Sequence, residues 1–239
     1  MACQTQLRGD GSLEVKTKAT NRGDEPATNL QAVVLNLPGA IPSHTHEVLP
    51  DGQSIELAAT APAAQASPGR YAAIVRLELQ DLNQFPLSAM GYAYYYLGRD
   101  WASPLVVQAQ PFKLEGAGQL DLLMTNTEQK DIEAVVRVFY PRELRGDQGP
   151  LTVRIPAQQS RDLSVGIAKL TGQDNAVYPV LVLAAYELDG LHTEKVTEVK
   201  VTLAAQDNVF QRTMPWWLAG LAALAAWVAY NQIRWRRRR

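Results

Sequence analysis

Acid–base or metal chemistry in these 239 residues has to start from three histidines, one cysteine and a scatter of carboxylates. His44-Thr45-His46-Glu47 is the tightest cluster. On an extended strand His44 and His46 share one face, which supplies half of a metal site. The third histidine, His192, lies in the other half of the chain, and the Cys/His spacing of a structural zinc site is missing. We therefore expect a solvated loop there and no metal. Asp81, Glu115, Asp121, Glu187 and Asp189 fall near expected strand ends. Glycosidase-like carboxylate pairs need separations of roughly 5–9 Å across a cleft, and spacing in sequence does not supply that. No Gly-Xaa-Ser-Xaa-Gly elbow, phosphate loop or dinucleotide fingerprint occurs. The expectation is a protein that is not an enzyme and takes no cofactor.

Binding chemistry is better represented. Tyr92, Tyr94, Tyr95 and Tyr96 crowd one stretch, with Trp101 just beyond. On a strand Tyr92, Tyr94 and Tyr96 share a face and Tyr95 takes the other. Exposed tyrosines suit a protein partner or sugar rings, since each offers apolar area with a polar tip. These five residues are the candidate partner-binding site, set against the alternative that they fill a core face and a domain junction. Arg-Gly-Asp occurs at Arg8-Gly9-Asp10, Arg22-Gly23-Asp24 and Arg145-Gly146-Asp147, where turn composition accounts for it.

The elements that must position these residues read as strands. Leu13, Val15 and Thr17 alternate with Glu14, Lys16 and Lys18, the period of a half-buried strand. Further strands are expected at 30–37, 54–58, 70–79 and 90–97, with 60–68 as loop. The second half repeats the first. Thr20-Asn21 is matched by Thr125-Asn126, and Leu49-Pro50 through Leu57 aligns with Ile155-Pro156 through Leu163. Tyr71 to Val75 falls against Tyr178 to Val182, and the expected strand 132–139 answers that of the first half. An ordered series at an offset of roughly 105 residues predicts an all-β fold of two tandem antiparallel Ig-like sandwiches. The expected domains are 1–100 and 101–207, followed by a linker at 208–214.

The turn Asn21-Arg22-Gly23, the strand ending at Leu37-Pro38, the turn Leu49-Pro50-Asp51-Gly52-Gln53-Ser54 and the strand opening Pro68-Gly69-Arg70-Tyr71 resemble Ig-like domains of the NEW3 and CARDB type. The second half is looser: it lacks the Pro-Gly before Tyr178 and the glycine of the first turn. The resemblance implies tandem modules of a bacterial envelope protein with an accessory or binding role, and it brings no catalytic residues.

From Pro215 to Ile233 no residue is charged, and about 19 residues of helix match the hydrocarbon thickness of a bilayer. Trp216, Trp217, Trp227 and Tyr230 give the aromatic anchors, and Arg234, Arg236, Arg237, Arg238 and Arg239 follow one end only. The positive-inside tendency then places the tail 234–239 in the cytoplasm and the β domains outside it, on the plasma (inner) membrane. With those arginines set apart, no basic face is left for nucleic acid. An outward-facing domain is expected to follow a signal peptide. Since none stands ahead of the first strand, we expect an internal start, a trimmed terminus or the opposite orientation. Ala2-Cys3 also resembles the end of a lipobox, against a plain unpaired cysteine near a frayed terminus. The expected function is an envelope protein that binds or scaffolds a protein partner. The alternatives are a glycan-binding accessory module and a periplasmic assembly chaperone.

Overall fold

Alternation decides the first strands. Leu13, Val15, Thr17 and Ala19 are buried, and the charged residues between them are not. The computed structural model describes residues 1–63, 67–98, 102–146, 148–205, 214–222, 224–225 and 227–228. In the N half the strands are β1 (Ala2–Leu7), β2 (Ser12–Thr20), β3 (Ala27–Val34), β4 (His46–Leu49), β5 (Ser54–Pro62), β6 (Gly69–Gln80) and β7 (Pro86–Leu97). The C half holds β8 (Leu105–Ala109), β9 (Phe112–Leu114), β10 (Ala117–Asn126), β11 (Ile132–Phe139), β12 (Leu144–Gly146), β13 (Leu151–Ile155), β14 (Ser160–Lys169), β15 (Val177–Leu188) and β16 (Leu191–Leu203).

In the N half the sheet β1-β2-β5 packs on β4-β3-β6-β7, and Leu13, Val15, Leu57, Leu30, Val75 and Tyr95 meet in one core. The C half repeats the scheme with β8-β10-β14-β12 on β13-β11-β15-β16 around a core of its own. The segment expected to be loop from 60 onward begins as strand, because β5 stays paired with β2 as far as Pro62.

Two pairings depart from an antiparallel fold. Strand β9 leaves the sheet of β8 and runs parallel to β16 at Val201–Leu203. Strand β16 also pairs in parallel with β6, through His192↔Gly69 and Thr193↔Arg70, so one nine-stranded sheet runs through both halves. Only glycine fits at 69, since a Cβ there would lie 2.0 Å from the His192 carbonyl oxygen. Long stretches of β6 and β15 are buried on both faces, which is why they read as apolar runs rather than as alternation. Their second faces form a third cluster, with Ala72, Ile74 and Met90 from the N half against Leu181, Leu183 and Val196 from the C half. Each of the large side chains there contributes about 1.5–3 kcal/mol by leaving water. Residues Met1–Ala204 accordingly form one compact unit.

Of the second unit, Ala205–Arg239, the structure describes Ala205 and helical residues at 214–222, 224–225 and 227–228. Among the described residues no helix is long and apolar enough to cross a membrane. The remainder of the span expected at 215–233, and the basic tail 234–239, lie outside the described residues.

Candidate partner-binding surface at the junction of the two halves

The register of β7 against β6 sets Tyr92 opposite Ile74 and Tyr94 opposite Ala72, so both tyrosines pack on the cluster between the halves. They meet edge to face with centroids 5.5 Å apart. The Tyr94 hydroxyl accepts a bond from Val196 N–H (2.9 Å), its carbonyl accepts one from the Thr5 hydroxyl (2.6 Å), and the Arg70 guanidinium lies 3.7 Å from its ring centroid. Tyr95 turns into the N-half core and stacks on Tyr71 at 5.4 Å. Of the four tyrosines only Tyr96 is exposed. Trp101 lies outside the described residues.

The junction carries a polar cluster that the sequence reading did not anticipate. His192 stacks on Tyr71 with centroids 4.3 Å apart. Its Nδ1 is 3.2 Å from Glu187 and its Nε2 is 3.4 Å from Glu194. Burial works against a charged ring, but the hydrogen bonds and charges of Glu194 and Glu187 outweigh it, so the His192 pKa is raised. Glu194 also accepts Ala72 N–H at 2.6 Å, and His192 N–H donates to the Pro68 carbonyl at 2.9 Å. The signal for this cluster is the Asp189-Gly190 turn. Both residues have positive φ, as a two-residue hairpin requires, and that turn sets Glu187 directly opposite His192.

A second clasp is made by Glu143, which is fully buried. Its carboxylate accepts the Ser88 N–H (2.8 Å) and the Ser88 hydroxyl (2.7 Å), and Arg142 N–H donates back to Ser88 Oγ at 2.9 Å. Arg142 also pairs with Glu78, which holds Arg76 at 2.7 Å. These bonds join the loop before β12 to β7, across the halves.

The other candidates are dispersed. His46 opens β4 and His44 lies in the coil before it. Among the described residues no group of three or more His, Cys, Asp or Glu could hold a metal ion. Asp81 caps the turn between β6 and β7 by accepting Asn83 and Phe85 N–H, Asp121 accepts the Ser164 hydroxyl, and Asp189 pairs with Lys130. Asp10 caps Ser12 in the turn between β1 and β2, where the Ser12 hydroxyl and N–H hold its pKa low. Cys3 is half-buried, and burial raises its pKa.

Other surfaces among the described residues are open. A groove of about 770 Å³ runs over the turn between β8 and β9, lined by Gln108, Gln110, Gln119, Asp121, Asp162 and Phe112 among others. On the C-terminal helix every described residue from 214 to 228 is exposed, Trp216 to 80%. Trp217 and Trp227 are exposed with it, whereas Tyr230, Arg234, Arg236, Arg237, Arg238 and Arg239 lie outside the described residues.

No protein-family model and no curated protein sequence matches the chain. Among solved structures it is similar to alpha-2-macroglobulin of Salmonella, at 14% identity and a TM-score of 0.36, with 85% of this chain and 16% of that one covered. It is also similar to the YadV chaperone, at 12% identity and a TM-score of 0.32, with coverages of 79% and 92%. A protein of unknown function from Porphyromonas gingivalis follows at 13% and 0.35, with 85% and 96% covered. The chain thus spans 16% of the macroglobulin chain's length.

Proposed function

We propose that this chain is a single-pass membrane protein whose two tandem Ig-like domains, 1–100 and 101–207, bind or scaffold a protein partner in an envelope assembly. The observation that carries the proposal is the C-terminal helix. Every described residue from 214 to 228 is exposed and none is charged, and a helix without a polar face calls for lipid or a partner rather than water. Continued through Ile233, the apolar run has the length of a bilayer span. The arginines at 234 and 236–239 support an orientation with the β domains outside the cytoplasm, by the positive-inside tendency. The two clasps and the shared sheet favour scaffolding, because a platform held at several points presents its surfaces in fixed relation. The resemblance to NEW3 and CARDB domains is part of the same proposal.

Protease treatment of intact spheroplasts carrying the full-length protein tests it. Digestion of the β domains without lysis is the expected result. Protection until lysis would put them in the cytoplasm and remove every envelope function.

A glycan-binding accessory role is the second reading, favoured by the groove at Asp121. Its amides, carboxylates and the Phe112 ring suit sugar hydroxyls and faces. A glycan array with the full chain, and loss of any hit on Asp121→Ala, would support it over the first.

A further inference from the structure

The first strand behaves differently in the two halves. In the N half β1 stays on β2, through Gln4↔Lys16 and Gln6↔Glu14 to Leu7↔Leu13. In the C half β8 stays on β10 only as far as Ala109↔Leu122. The chain then crosses at Gln110-Pro111 to the opposite sheet, where β9 joins β16. The alignment of Asn21 with Asn126 matches Glu14 to Gln119 and Lys16 to Asp121, so the part of β10 left uncovered is the part that β1 covers on β2.

The ladder with β14 fixes where the β10 backbone points. At one end Asn126 N–H donates to the Gln159 carbonyl (2.9 Å), and at the other Lys169 N–H donates to the Gly116 carbonyl (2.6 Å). Even-numbered residues between them therefore bond β14, and odd-numbered ones turn their backbone groups to the other edge. Leu123 and Thr125 meet β8 there, opposite Gln108 and Val106. No described residue is paired with Gln119 or Asp121 on that side. The groove of about 770 Å³ lies along this edge, with Phe112 of β9 on its far wall. Among the described residues that line it, the charged ones are Asp121 and Asp162, both exposed carboxylates. In the N half the place of Asp121 is held by Lys16.

We propose that the free edge of β10 at Gln119–Asp121 takes an extended segment of a partner protein carrying basic side chains. The inference rests on the partner-binding function above and names its surface. The backbone groups of Gln119 and the Asp121 N–H supply the ladder bonds. Asp121 and Asp162 select cations on the outer face, and alternate side chains of the added segment turn inward to Phe112. This is strand addition, with main-chain bonds giving affinity and side chains giving specificity. The N half shows the fit, because Gln4–Leu7 fill the matching place on β2. A second copy of this chain suits the edge poorly, since pairing the edge with itself sets like carboxylates side by side. A sugar would use the carboxylates and the ring but leave the ladder groups idle.

The test uses the full chain in nanodiscs of zwitterionic lipid and a labelled peptide, acetyl-Val-Lys-Val-Lys-Val-amide, whose sequence reads the same in both directions. Saturable binding is expected, weakened about tenfold or more when both lysines are replaced by glutamate. With the lysine side chains beside Asp121 their amides face β10, so N-methylation of those amides should weaken binding about as much. N-methylation of the central valine, whose amide faces away, should not. Asp121→Asn keeps an acceptor for the Ser164 hydroxyl and should narrow the gap between the lysine and glutamate peptides. Asp162→Asn is the second variant should the first fold poorly, and the methylated peptides need no variant at all. Absence of saturable binding, equal binding of the lysine and glutamate peptides, or indifference to methylation of the lysine amides overturns the inference. A glycan hit lost on Asp121→Ala, with no peptide bound, overturns it in favour of a sugar, and a dimer in detergent that the peptide dissolves overturns it in favour of a second copy. A partner captured from native membranes and not released by the lysine peptide also overturns it, while leaving partner binding itself standing. Peptide binding together with protection of the β domains in spheroplasts keeps the edge and removes the envelope function.

Discussion

Asn21, after β2, and Asn126, at the end of β10, close equivalent turns with nearly the same bonds. Asn21 donates from its amide to the Glu25 and Leu49 carbonyls (2.8 and 3.1 Å) and accepts Gly23 N–H at 3.0 Å. Asn126 donates to Lys130 (2.8 Å), Ile155 (3.1 Å) and Pro156 (3.2 Å) and accepts Glu128 N–H at 2.9 Å. Beside them Thr20 bonds Ser54 at 2.7 Å and Thr125 bonds Ser160 at 2.8 Å. Around these equal turns the burial differs. Asn126 is fully buried, with Leu105 of β8 paired opposite it, and Asn21 is half-exposed. A turn needs one side chain of fixed reach, so its chemistry is the same in both copies. The apolar residues packed around it have diverged, with Ala19 and Ala27 where the C half has Met124 and Ile132.

Removing each asparagine in turn should separate the two halves most strongly. Asn126→Ala leaves buried carbonyls with no water to replace the amide, and about 3 kcal/mol of stability should be lost. Asn21 is half-exposed, so water can replace its amide, and Asn21→Ala should cost about 1 kcal/mol. Urea denaturation of both variants gives the two numbers. Equal losses would mean that the difference in cover has no energetic meaning.

A smaller effect is expected where the halves are joined. Glu143→Ala removes the acceptor of both Ser88 donors and should cost about 2 kcal/mol. Because the bonds run from the C half to β7, the loss should also loosen the cooperation between halves. Calorimetry is expected to show one transition for the parent and a broadened or split transition for the variant. A single, unshifted transition would make Glu143 irrelevant to the coupling.

Much of the architecture is legible in sequence because it rests on local chemistry. Strand β11 occupies the expected 132–139, and the Thr-Asn and Ser anchors of the repeat fall on equivalent bonds. The tyrosine stretch is a strand, with Tyr92 and Tyr94 on one side and Tyr95 on the other, as alternation demands. What covers that side is not local. Ala72, Ile74, Leu181 and Leu183 are apolar either way, and only the meeting of two halves decides that they face each other. The parallel pairings of β9 and β6 with β16 depend on the same meeting. Glu143 sits in Tyr-Pro-Arg-Glu, a stretch without period, so nothing in sequence marks it as buried. His192 is a different case. The Leu-Asp-Gly-Leu turn sets Glu187 across from it, so half of that cluster could be read from hairpin geometry.

The smallest expected effect separates the halves by pH. In the C-half hairpin His192 stands opposite Glu187, whereas the corresponding pair in the N half is Gln80↔Pro86, which has no ionisable group. His192 faces Glu187 on β15, Glu194 on β16 and the Tyr71 ring on β6. Burial opposes its charge and the two carboxylates overcome that opposition, so its folded pKa stands above the unfolded value of about 6.5. The stabilisation is therefore fully present below that unfolded value and is lost as pH rises through the folded pKa. Thermal melts from pH 6 to 8 should show the parent losing stability with rising pH by less than either substitution above costs. His192→Gln should remove that slope and leave the rest of the profile in place. A slope that survives in the variant would assign the pH dependence to another group and detach the His192 cluster from the coupling of the halves.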